Sequence, residues 1–399
     1  MRLHASSNSS LLFLHPTTSR ASWSVDDTWK RLYRRDVATS IEAPQVDPTL
    51  NELDAAGEER LYRAMRHFFH PVAYASDVQD APVAASLLDE QLVVVRMGGE
   101  VRCFRDLCVH RGTALSLGAV EDDELRCAYH GWTYGPDGVC TKIPSRFGSN
   151  IPSRAKLTRF LCEERHGLIW VCLADDAYFP IPDFPQYGDP AFRSVEVELY
   201  DWHCSAHRRI ENYVDFSHFA WVHDGILGDR NQPEVPDHDV WREGREIRFG
   251  EGFFHEPHDE PDTDEVPRSR DRQGLPDRTG TVLADKSYRL SMPLTVLLDQ
   301  RLPGDRHYVL FFTASPMGRE STRSFTMMSR SHETQPSADE KFLSFNELVV
   351  GQDKPIVESQ RPEQLPFDLS AELHIRGVDK VSIEYRRWLV ELTNELEPA

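Results

Sequence analysis

The sequence has no long hydrophobic run. The longest apolar stretch near the start of the 399-residue chain is Leu11–Leu14, and crossing a bilayer takes roughly 20 apolar residues. The stretch is also too short for the core of a signal peptide, and no small-residue cleavage site follows it. We therefore expect a cytoplasmic protein that does not enter a membrane.

Cysteine and positive charge are both scarce. The chain has seven cysteines, an odd number, scattered along its length. This argues against a disulfide framework and favours metal binding for any close pair. The 45 basic residues are outnumbered by 65 acidic residues, for a formal charge of −20. Such a balance excludes a basic surface for nucleic acid and suits a small electron-carrying partner with a basic docking face.

Composition divides the chain into three regions. Residues 1–50 are rich in Ser, Thr and Arg without a hydrophobic period, and we expect a disordered tail there. Residues 51–180 begin with a predicted helix over Asn51–Phe69 and continue as short predicted strands. Pro180–Pro190 is rich in proline and marks a linker. Residues 181–399 mix strands with three predicted helices, which are His207–His223, Ser337–Val350 and Val381–Leu396.

A compact group of cysteines and histidines lies in the strand-rich region. Cys108 and His110 form a C-x-H pair, and after a gap of sixteen residues Cys127 and His130 form a C-x-x-H pair. Two cysteines and two histidines on paired loops suit a [2Fe–2S] cluster in which imidazoles replace two thiolates on one iron. Structural zinc accepts the same four ligands, but a zinc finger groups its cysteines together and its histidines together. The mixed pairs therefore favour the iron–sulfur cluster.

The segments Cys108–Gly112 and Cys127–Trp132 resemble the Rieske domain of aromatic-ring-hydroxylating and related oxygenases. Respiratory Rieske proteins use a similar ligand set, but their loops carry two further cysteines that form a disulfide. Thr113 and Tyr129 occupy those positions here, so the sequence resembles the oxygenase type. The resemblance covers residues 65–397. It implies an α+β fold, in which an N-terminal all-β Rieske domain precedes an antiparallel-sheet catalytic domain with flanking helices.

An oxygenase needs a second metal site, because a Rieske cluster alone only carries electrons. His218 and His223 are candidate ligands, but five residues rotate about 140° around an ideal helix and would not share a face. The helix must therefore bend, or His223 must lie past its end. With 17 histidines in the chain such a pair arises easily. His203 and His207, at i and i+4, match a helical zinc pair better on spacing alone.

The segment Asn212–His223 resembles the catalytic motif of the Rieske oxygenases. The resemblance assigns His218 and His223 to a mononuclear iron held by two histidines and one carboxylate, which leaves positions open for O₂ and substrate. Asp353, in an Asp-x4-Glu-x-Gln setting on a predicted helix, is the expected carboxylate. Asp368 is the alternative.

The resemblance gives Asp215 a separate role. In the family, the equivalent aspartate links an iron-ligating histidine to a cluster-ligating histidine of the neighbouring subunit. Here Asp215 would join His218 to His130 of another chain, and a homotrimer is implied. A carboxylate suits this task because it accepts a proton from each imidazole and orients both. An ordinary aspartate on a helix surface is the alternative.

The implied protein is an oxygenase catalytic subunit with one [2Fe–2S] cluster and one Fe²⁺ per chain. Its reactants would be O₂ and a small organic substrate. No Gly-x-Gly-x-x-Gly follows a predicted strand, so electrons must come from a separate NAD(P)H-dependent reductase or ferredoxin. A Rieske electron-transfer protein that uses only the cluster, and a non-catalytic relative, are the alternative functions.

Two further segments narrow the reaction. His223–Arg230 and Tyr385–Leu389 resemble a subgroup that includes vanillate and dicamba O-demethylase-like enzymes and the hydroxylases of saxitoxin biosynthesis. This favours monooxygenation, by hydroxylation or demethylation of a natural product or xenobiotic, over the cis-dihydroxylation of an aromatic-ring dioxygenase. The analogy does not fix a substrate.

The sequence does not determine which residues line the substrate cavity. Phe216, Phe219 and Trp221 interleave with the candidate ligands and either line the substrate cavity or pack in the core. Glu256–Arg278 is rich in Pro, Asp and Arg with few apolar residues. We expect a long loop there, as a disordered insertion rather than a lid.

Overall fold

The computed structural model describes residues 55–146, 150–258, 280–302 and 304–398. The predicted tail at 1–50 and most of the predicted insertion, from 259 to 278, lie outside these residues. Among the helices that are described, none has the length and apolar character needed to cross a membrane.

Helix α1 (Ala55–Ala64) comes first in the described chain. The short strands predicted in the N-terminal half follow it and form two antiparallel sheets. The strands are β1 (His70–Tyr74), β2 (Val83–Leu87), β3 (Glu90–Met97), β4 (Glu100–Arg105), β5 (Ala119–Glu121), β6 (Glu124–Arg126), β7 (Thr133–Tyr134), β8 (Cys140–Lys142), β9 (Arg159–Arg165) and β10 (Leu168–Cys172). Six of them form one sheet in the order β1-β10-β9-β4-β3-β2, and β5 to β8 form the other. The β3–β4 hairpin turns at Gly98 and Gly99, which both have positive φ.

Strand β10 fixes the N-terminal sheet to the rest of the molecule. All five of its residues are buried, and alternate side chains point to opposite faces. Ile169 and Val171 join the largest apolar cluster, while Leu168 and Trp170 join a second cluster with residues of the C-terminal sheet. Both faces of this strand are therefore covered, which explains its uninterrupted apolar sequence.

The C-terminal half contains one eight-stranded antiparallel sheet. Its strands are β11 (Arg193–Glu196), β12 (Tyr200–Trp202), β13 (Val240–Glu243), β14 (Glu246–His258), β15 (Gly280–Ser291), β16 (Thr295–Leu302), β17 (Arg306–Gly318) and β18 (Ser321–Arg330). The order is β11-β18-β17-β16-β15-β14-β13, and β12 also pairs with β18. An N-terminal half built from two β-sheets precedes a C-terminal half built from one β-sheet and several helices. This arrangement confirms the predicted α+β class.

Four helices flank the C-terminal sheet, namely α2 (Ala206–Val214), α3 (Phe219–Val222), α4 (Asp339–Val357) and α5 (Lys380–Leu396). The prediction of one helix over His207–His223 is wrong, since α2 ends at Val214. Asp215 ends it because its Oδ1 accepts hydrogen bonds from the backbone N–H and the hydroxyl of Ser217, at 2.8 and 2.6 Å. A side chain that satisfies local backbone groups in this way competes with helix continuation.

The proline-rich segment at 180–190 has no helix or strand, as predicted for a linker, but it is packed rather than loose. Ile181 and Phe184 are buried, and the Phe184 ring stacks on Phe311 of β17 at 4.8 Å. The six-stranded N-terminal sheet and the C-terminal sheet therefore contribute to the same apolar clusters.

Candidate metal centres

The two cysteine–histidine loops have the same backbone construction. In the first, the N–H of Gly112 donates to the carbonyl of Cys108 at 2.8 Å; in the second, the N–H of Gly131 donates to the carbonyl of Cys127 at 3.1 Å. Both glycines have positive φ, +71° and +67°, a conformation that other residues adopt only with strain. The glycine four residues after each cysteine therefore lets each loop turn back tightly.

These loops bring four candidate ligands to one end of the small β5–β8 sheet. The rings of His110 and His130 lie 4.6 Å apart between centroids, and the indole of Trp132 stacks on His110 at 4.5 Å. Cys108 and Cys127 are buried free thiols. The sulfur of Cys108 lies 3.1 Å from the hydroxyl of Tyr134.

The unsatisfied groups at this end fit an iron–sulfur cluster. Nδ1 of His110 is buried and has no hydrogen-bond partner among the described residues. A buried imidazole nitrogen without a partner is costly unless a metal takes its lone pair. Because His130 is exposed, an electron has a direct route from this end of the domain to a neighbouring protein.

The second candidate centre joins residues that are distant in sequence. His218, His223 and Asp353 each offer one ligand atom, and these atoms all lie within 4.8 Å of one another. Nε2 of His223 lies 3.1 Å from Oδ1 of Asp353, and Nε2 of His218 lies 3.5 Å from the same oxygen. Within the described part of the chain, this is the one group of His, Cys, Asp or Glu side chains whose ligand atoms lie close enough together to hold a single metal ion.

The break between α2 and α3 solves the spacing problem of the two histidines. His218 lies in the turn just before α3, and His223 caps the end of that helix. With only four helical residues between them, their ring centroids lie 5.2 Å apart. Helix α4 contributes Asp353, in agreement with the prediction that this residue lies on a helix.

Each histidine is oriented by an acceptor on its other nitrogen. Nδ1 of His218 donates to Oδ2 of Asp215 at 3.3 Å, and Nδ1 of His223 donates to Oε1 of Gln352 at 2.8 Å. Both rings therefore present an unprotonated Nε2 towards Asp353. Fixing the tautomer in this way is how proteins prepare histidines for metal binding.

Asp353 is buried yet ionised. Burial opposes ionisation, but the polar contact with the imidazole of His223 and the positive charge of Arg209 outweigh it and lower the pKa of Asp353 below its usual value. For Asp215 burial likewise opposes ionisation, and the hydrogen bonds from His218 and Ser217 lower its pKa. Both carboxylates are thus available as anions at neutral pH.

A cavity opens directly beside the triad. Its walls come from α2, α3, α4 and the C-terminal sheet. The walls are mainly aromatic and aliphatic, with a few polar groups that include Asn212, Tyr213, Gln300 and Asn346. The hydroxyl of Tyr213 is buried without a hydrogen-bond partner among the described residues.

The three aromatic residues near the ligands differ in position. Phe219 lines the cavity. Phe216 is buried in the core, with its ring 5.9 Å from Phe249, and Trp221 is 55% exposed on the surface. Of the two alternatives expected for these residues, Phe219 lines the cavity and Phe216 packs in the core.

The alternative ligands do not assemble. His207 is buried beside Phe367, and His203 precedes α2 rather than lying on it, so the i,i+4 pair does not form. The carboxylate of Asp368 accepts hydrogen bonds from Ser370 instead of joining the triad. Two residues that the sequence did not single out lie at the centre, namely Gln352 and Arg209. Gln352 directly precedes the candidate ligand Asp353, which was a usable signal, but nothing marked Arg209.

Comparison with known protein families finds one matching domain in each half of the chain. Residues 68–152 match the Rieske [2Fe-2S] domain, and residues 202–395 match the vanillate O-demethylase oxygenase C-terminal domain. The chain belongs to the Rieske-type non-haem iron oxygenases and is a catalytic, or alpha, subunit. The Rieske domain indicates a [2Fe–2S] cluster.

Individual relatives agree with this assignment. Methylxanthine N1-demethylase NdmA of Pseudomonas putida is 39% identical over 345 residues, which cover 84% of this chain and 90% of that protein. Methylxanthine N3-demethylase NdmB of the same organism is 33% identical over 349 residues, 84% of this chain and 91% of its own. The structure of NdmA with caffeine superposes with a TM-score of 0.71, covering 84% of this chain and 93% of that one. The structure of dicamba monooxygenase bound to dicamba, at 22% identity and a TM-score of 0.68, shares the fold.

The family fixes the general activity. This protein is an oxidoreductase that uses O₂ to oxidise a small organic substrate, and its relatives favour monooxygenation and demethylation. Oxygenase components of this kind receive their electrons from a reductase or ferredoxin.

Proposed function

We propose that this protein is the oxygenase component of a demethylase that removes a methyl group from nitrogen or oxygen of a small planar molecule. The observation that carries the proposal is the open cavity beside His218, His223 and Asp353. The similarity to two N-demethylases, which covers 84% of this chain in each case, supports the choice of reaction.

We assign the cluster ligands to Cys108, His110, Cys127 and His130, within a Rieske domain over residues 51–180. We assign Fe²⁺ to His218, His223 and Asp353, within a catalytic domain over residues 181–399. When bound, these groups supply single-electron transfer and activation of O₂. Two histidines and one carboxylate leave coordination positions open for reactants, and the buried donor atoms of the triad fit such an ion.

The protein's own residues prepare the reaction. Gln352 and Asp215 each hold the proton on Nδ1 of a histidine, so the opposite nitrogen stays a lone-pair donor. Phe219 and the other apolar walls exclude water from the cavity. The hydroxyl of Tyr213 offers a hydrogen bond to a carbonyl or ring nitrogen of the substrate, because it has no hydrogen-bond partner among the described residues.

We further propose that Asp215 connects subunits in a homotrimer. Its carboxylate lies beside a surface cleft that also contains Ile356 and Leu373, both exposed. The end of the Rieske domain that carries His130 also exposes apolar side chains, which are Leu107, Val109, Leu117 and Tyr129. Apolar surface around a charged centre on both sides is what an interface between identical chains needs. A separate NAD(P)H-dependent reductase or ferredoxin would supply the electrons.

The test is release of formaldehyde, because oxidation of an N-methyl or O-methyl group yields it in step with O₂ uptake. Caffeine and vanillate are suitable first substrates, with a reductase and NADH. We expect formaldehyde from an N-methylated or O-methylated compound and none from the His218→Ala variant, which keeps the Rieske absorbance. Turnover by His218→Ala equal to that of the unaltered protein would contradict the assignment.

An electron-transfer protein is the second candidate, because an exposed His130 suits it equally. Metal analysis of anaerobically purified protein separates the two. About three irons per chain are expected for an oxygenase, two in the cluster and one at the triad. A content of two would favour the electron carrier.

A further inference from the structure

Arg209 is a buried cation beside the metal triad. It lies on α2 with a side chain only 2% exposed. Its guanidinium lies over the ring of Trp202 at 4.2 Å and over that of Phe312 at 4.8 Å. Burying such a charge is costly unless opposite charge or hydrogen-bond acceptors compensate for lost hydration.

Two groups near Arg209 give this compensation. Asn212, one helical turn further along α2, accepts a hydrogen bond from Nη1 through its Oδ1. Oδ2 of Asp353 lies 4.0 Å from the same nitrogen. The aromatic rings prevent the guanidinium from moving away, and Asn212 fixes the nitrogen that faces Asp353.

The two oxygens of Asp353 therefore face different groups. Oδ1 is the oxygen that lies 3.1 Å from His223 and 3.5 Å from His218, whereas Oδ2 faces the guanidinium. A carboxylate can bind a metal through one oxygen or through both. A second bound oxygen would occupy a position that an oxygenase must keep open for its reactants.

We propose that Arg209 is a positioning residue that holds Oδ2 of Asp353 by its charge, so that this carboxylate offers a single oxygen to the iron. The proposal rests on the assignment of iron to His218, His223 and Asp353. Its functional result is an additional open position at the metal. The apolar cage keeps the interaction strong, because a charge pair away from water is only weakly screened.

Arg208 gives a matched comparison for a merely structural role. It is the next residue on α2, and its side chain is also 2% exposed. Arg208 pairs instead with Glu372 at 2.8 Å and donates to the carbonyl of Pro362. Its replacement removes a buried arginine from the same helix without removing a charge from Asp353.

The test uses the full chain with its cluster and Co²⁺ in the mononuclear site, observed by electron paramagnetic resonance. The oxidised cluster gives no signal because its two ferric ions couple antiferromagnetically, so the spectrum reports Co²⁺ alone. Two neutral replacements of different polarity, Arg209→Met and Arg209→Gln, are compared with Arg208→Met and with the unaltered protein. Whichever Arg209 variant folds serves the comparison.

We expect changed effective g values in the Arg209 variants, because Asp353 can then bind through both oxygens. Affinity for Co²⁺ should rise about tenfold, since a second ligand atom is gained and a like charge is lost. Arg208→Met should keep the signal of the unaltered protein. A structural role for Arg209 predicts weaker binding with an unchanged signal.

The signal decides the proposal. Unchanged g values in the Arg209 variants would overturn it, whatever the affinity. Failure of the underlying iron assignment gives a different result, since the unaltered protein would then lack any Co²⁺ signal that His218→Ala removes.

Discussion

Nδ1 of His223 donates a hydrogen bond to Oε1 of Gln352 at 2.8 Å, and His223 is almost completely buried. Gln352 directly precedes Asp353, so one turn of α4 orients one candidate ligand and supplies another. The position of this helix therefore sets both the direction of the imidazole and the distance to the carboxylate.

The first prediction concerns this contact. Replacing Gln352 by leucine removes the acceptor, and the ring of His223 can then rotate or change tautomer. We expect iron affinity to fall about 10- to 100-fold, measured as iron retained after dialysis against a weak chelator. Gln79→Leu, on the surface, is the control and should retain all its iron. Equal retention by both variants would show that Gln352 does not orient the ligand.

The second prediction concerns Asp215 and the proposed trimer. A His218→Ala chain lacks the iron site, and a Cys108→Ser chain lacks the cluster, so each alone should be inactive. If electrons cross between chains, co-expression should restore about a quarter of the normal rate. Random assembly places an intact cluster beside an intact iron site at about a quarter of the subunit interfaces. Adding Asp215→Asn to the chain with the intact iron site should abolish this recovery. Activity no higher than in the separate variants would indicate transfer within one chain or none.

A third prediction concerns the cavity. Val349 lies one turn before Asp353 on α4 and faces the empty volume. A tryptophan there would fill much of the space that a substrate needs, so formaldehyde release should fall at least about tenfold while both metal contents stay normal. Glu347→Trp, on the exposed side of the same helix, should remain active. Full activity in Val349→Trp would mean that the substrate binds elsewhere.

The fourth prediction concerns acid stability. Glu372 accepts hydrogen bonds from the buried Arg386 and from Arg208, at 2.6 and 2.8 Å. Burial opposes its ionisation, but these two arginines lower the pKa of Glu372 below its usual value. A carboxyl group whose pKa is lower in the folded state than in the unfolded state stabilises the folded protein at pH values above its unfolded pKa. This stabilisation is lost as the pH falls through the pKa of the folded state.

The variant Glu372→Gln isolates that contribution. At neutral pH we expect it to unfold with a free energy about 2 kcal/mol lower than the unaltered protein, and the difference should shrink below about pH 4. Urea unfolding at several pH values measures it, with Glu163→Gln at an exposed position of β9 as the control. A difference that does not vary with pH would exclude a charged pair as its cause.

Sequence patterns predicted the parts of this protein that depend on neighbouring residues. The short strands of the N-terminal half, the paired loops that carry the cysteines and histidines, and the C-terminal helix all follow from local turn chemistry and periodicity. The family assignment also followed from local motifs. These signals are reliable because the residues that determine each feature lie within a few positions of one another.

Features that depend on distant contacts were not visible in the same way. Helical periodicity continues through Asp215, yet the side chain of that residue ends α2, so the single predicted helix was wrong. The proximity of Asp353 to His218 and His223 was suggested only by the family resemblance. It depends on the packing of α4 against the C-terminal sheet, which local sequence patterns do not show. Nothing in the sequence marked Arg209, because the rings of Trp202 and Phe312 that bury it are separated from each other by more than a hundred residues.

The long separation of Asp353 from His223 has a consequence for biosynthesis. While the ribosome is still adding β13 to β18, the emerging chain carries two histidines but no third ligand for them. A divalent ion captured at that stage would be held by two nitrogens alone and would exchange readily. The proposed site is complete only after α4 has been made and has docked on the sheet, so with this assignment selection of the metal is deferred until the surrounding protein is folded.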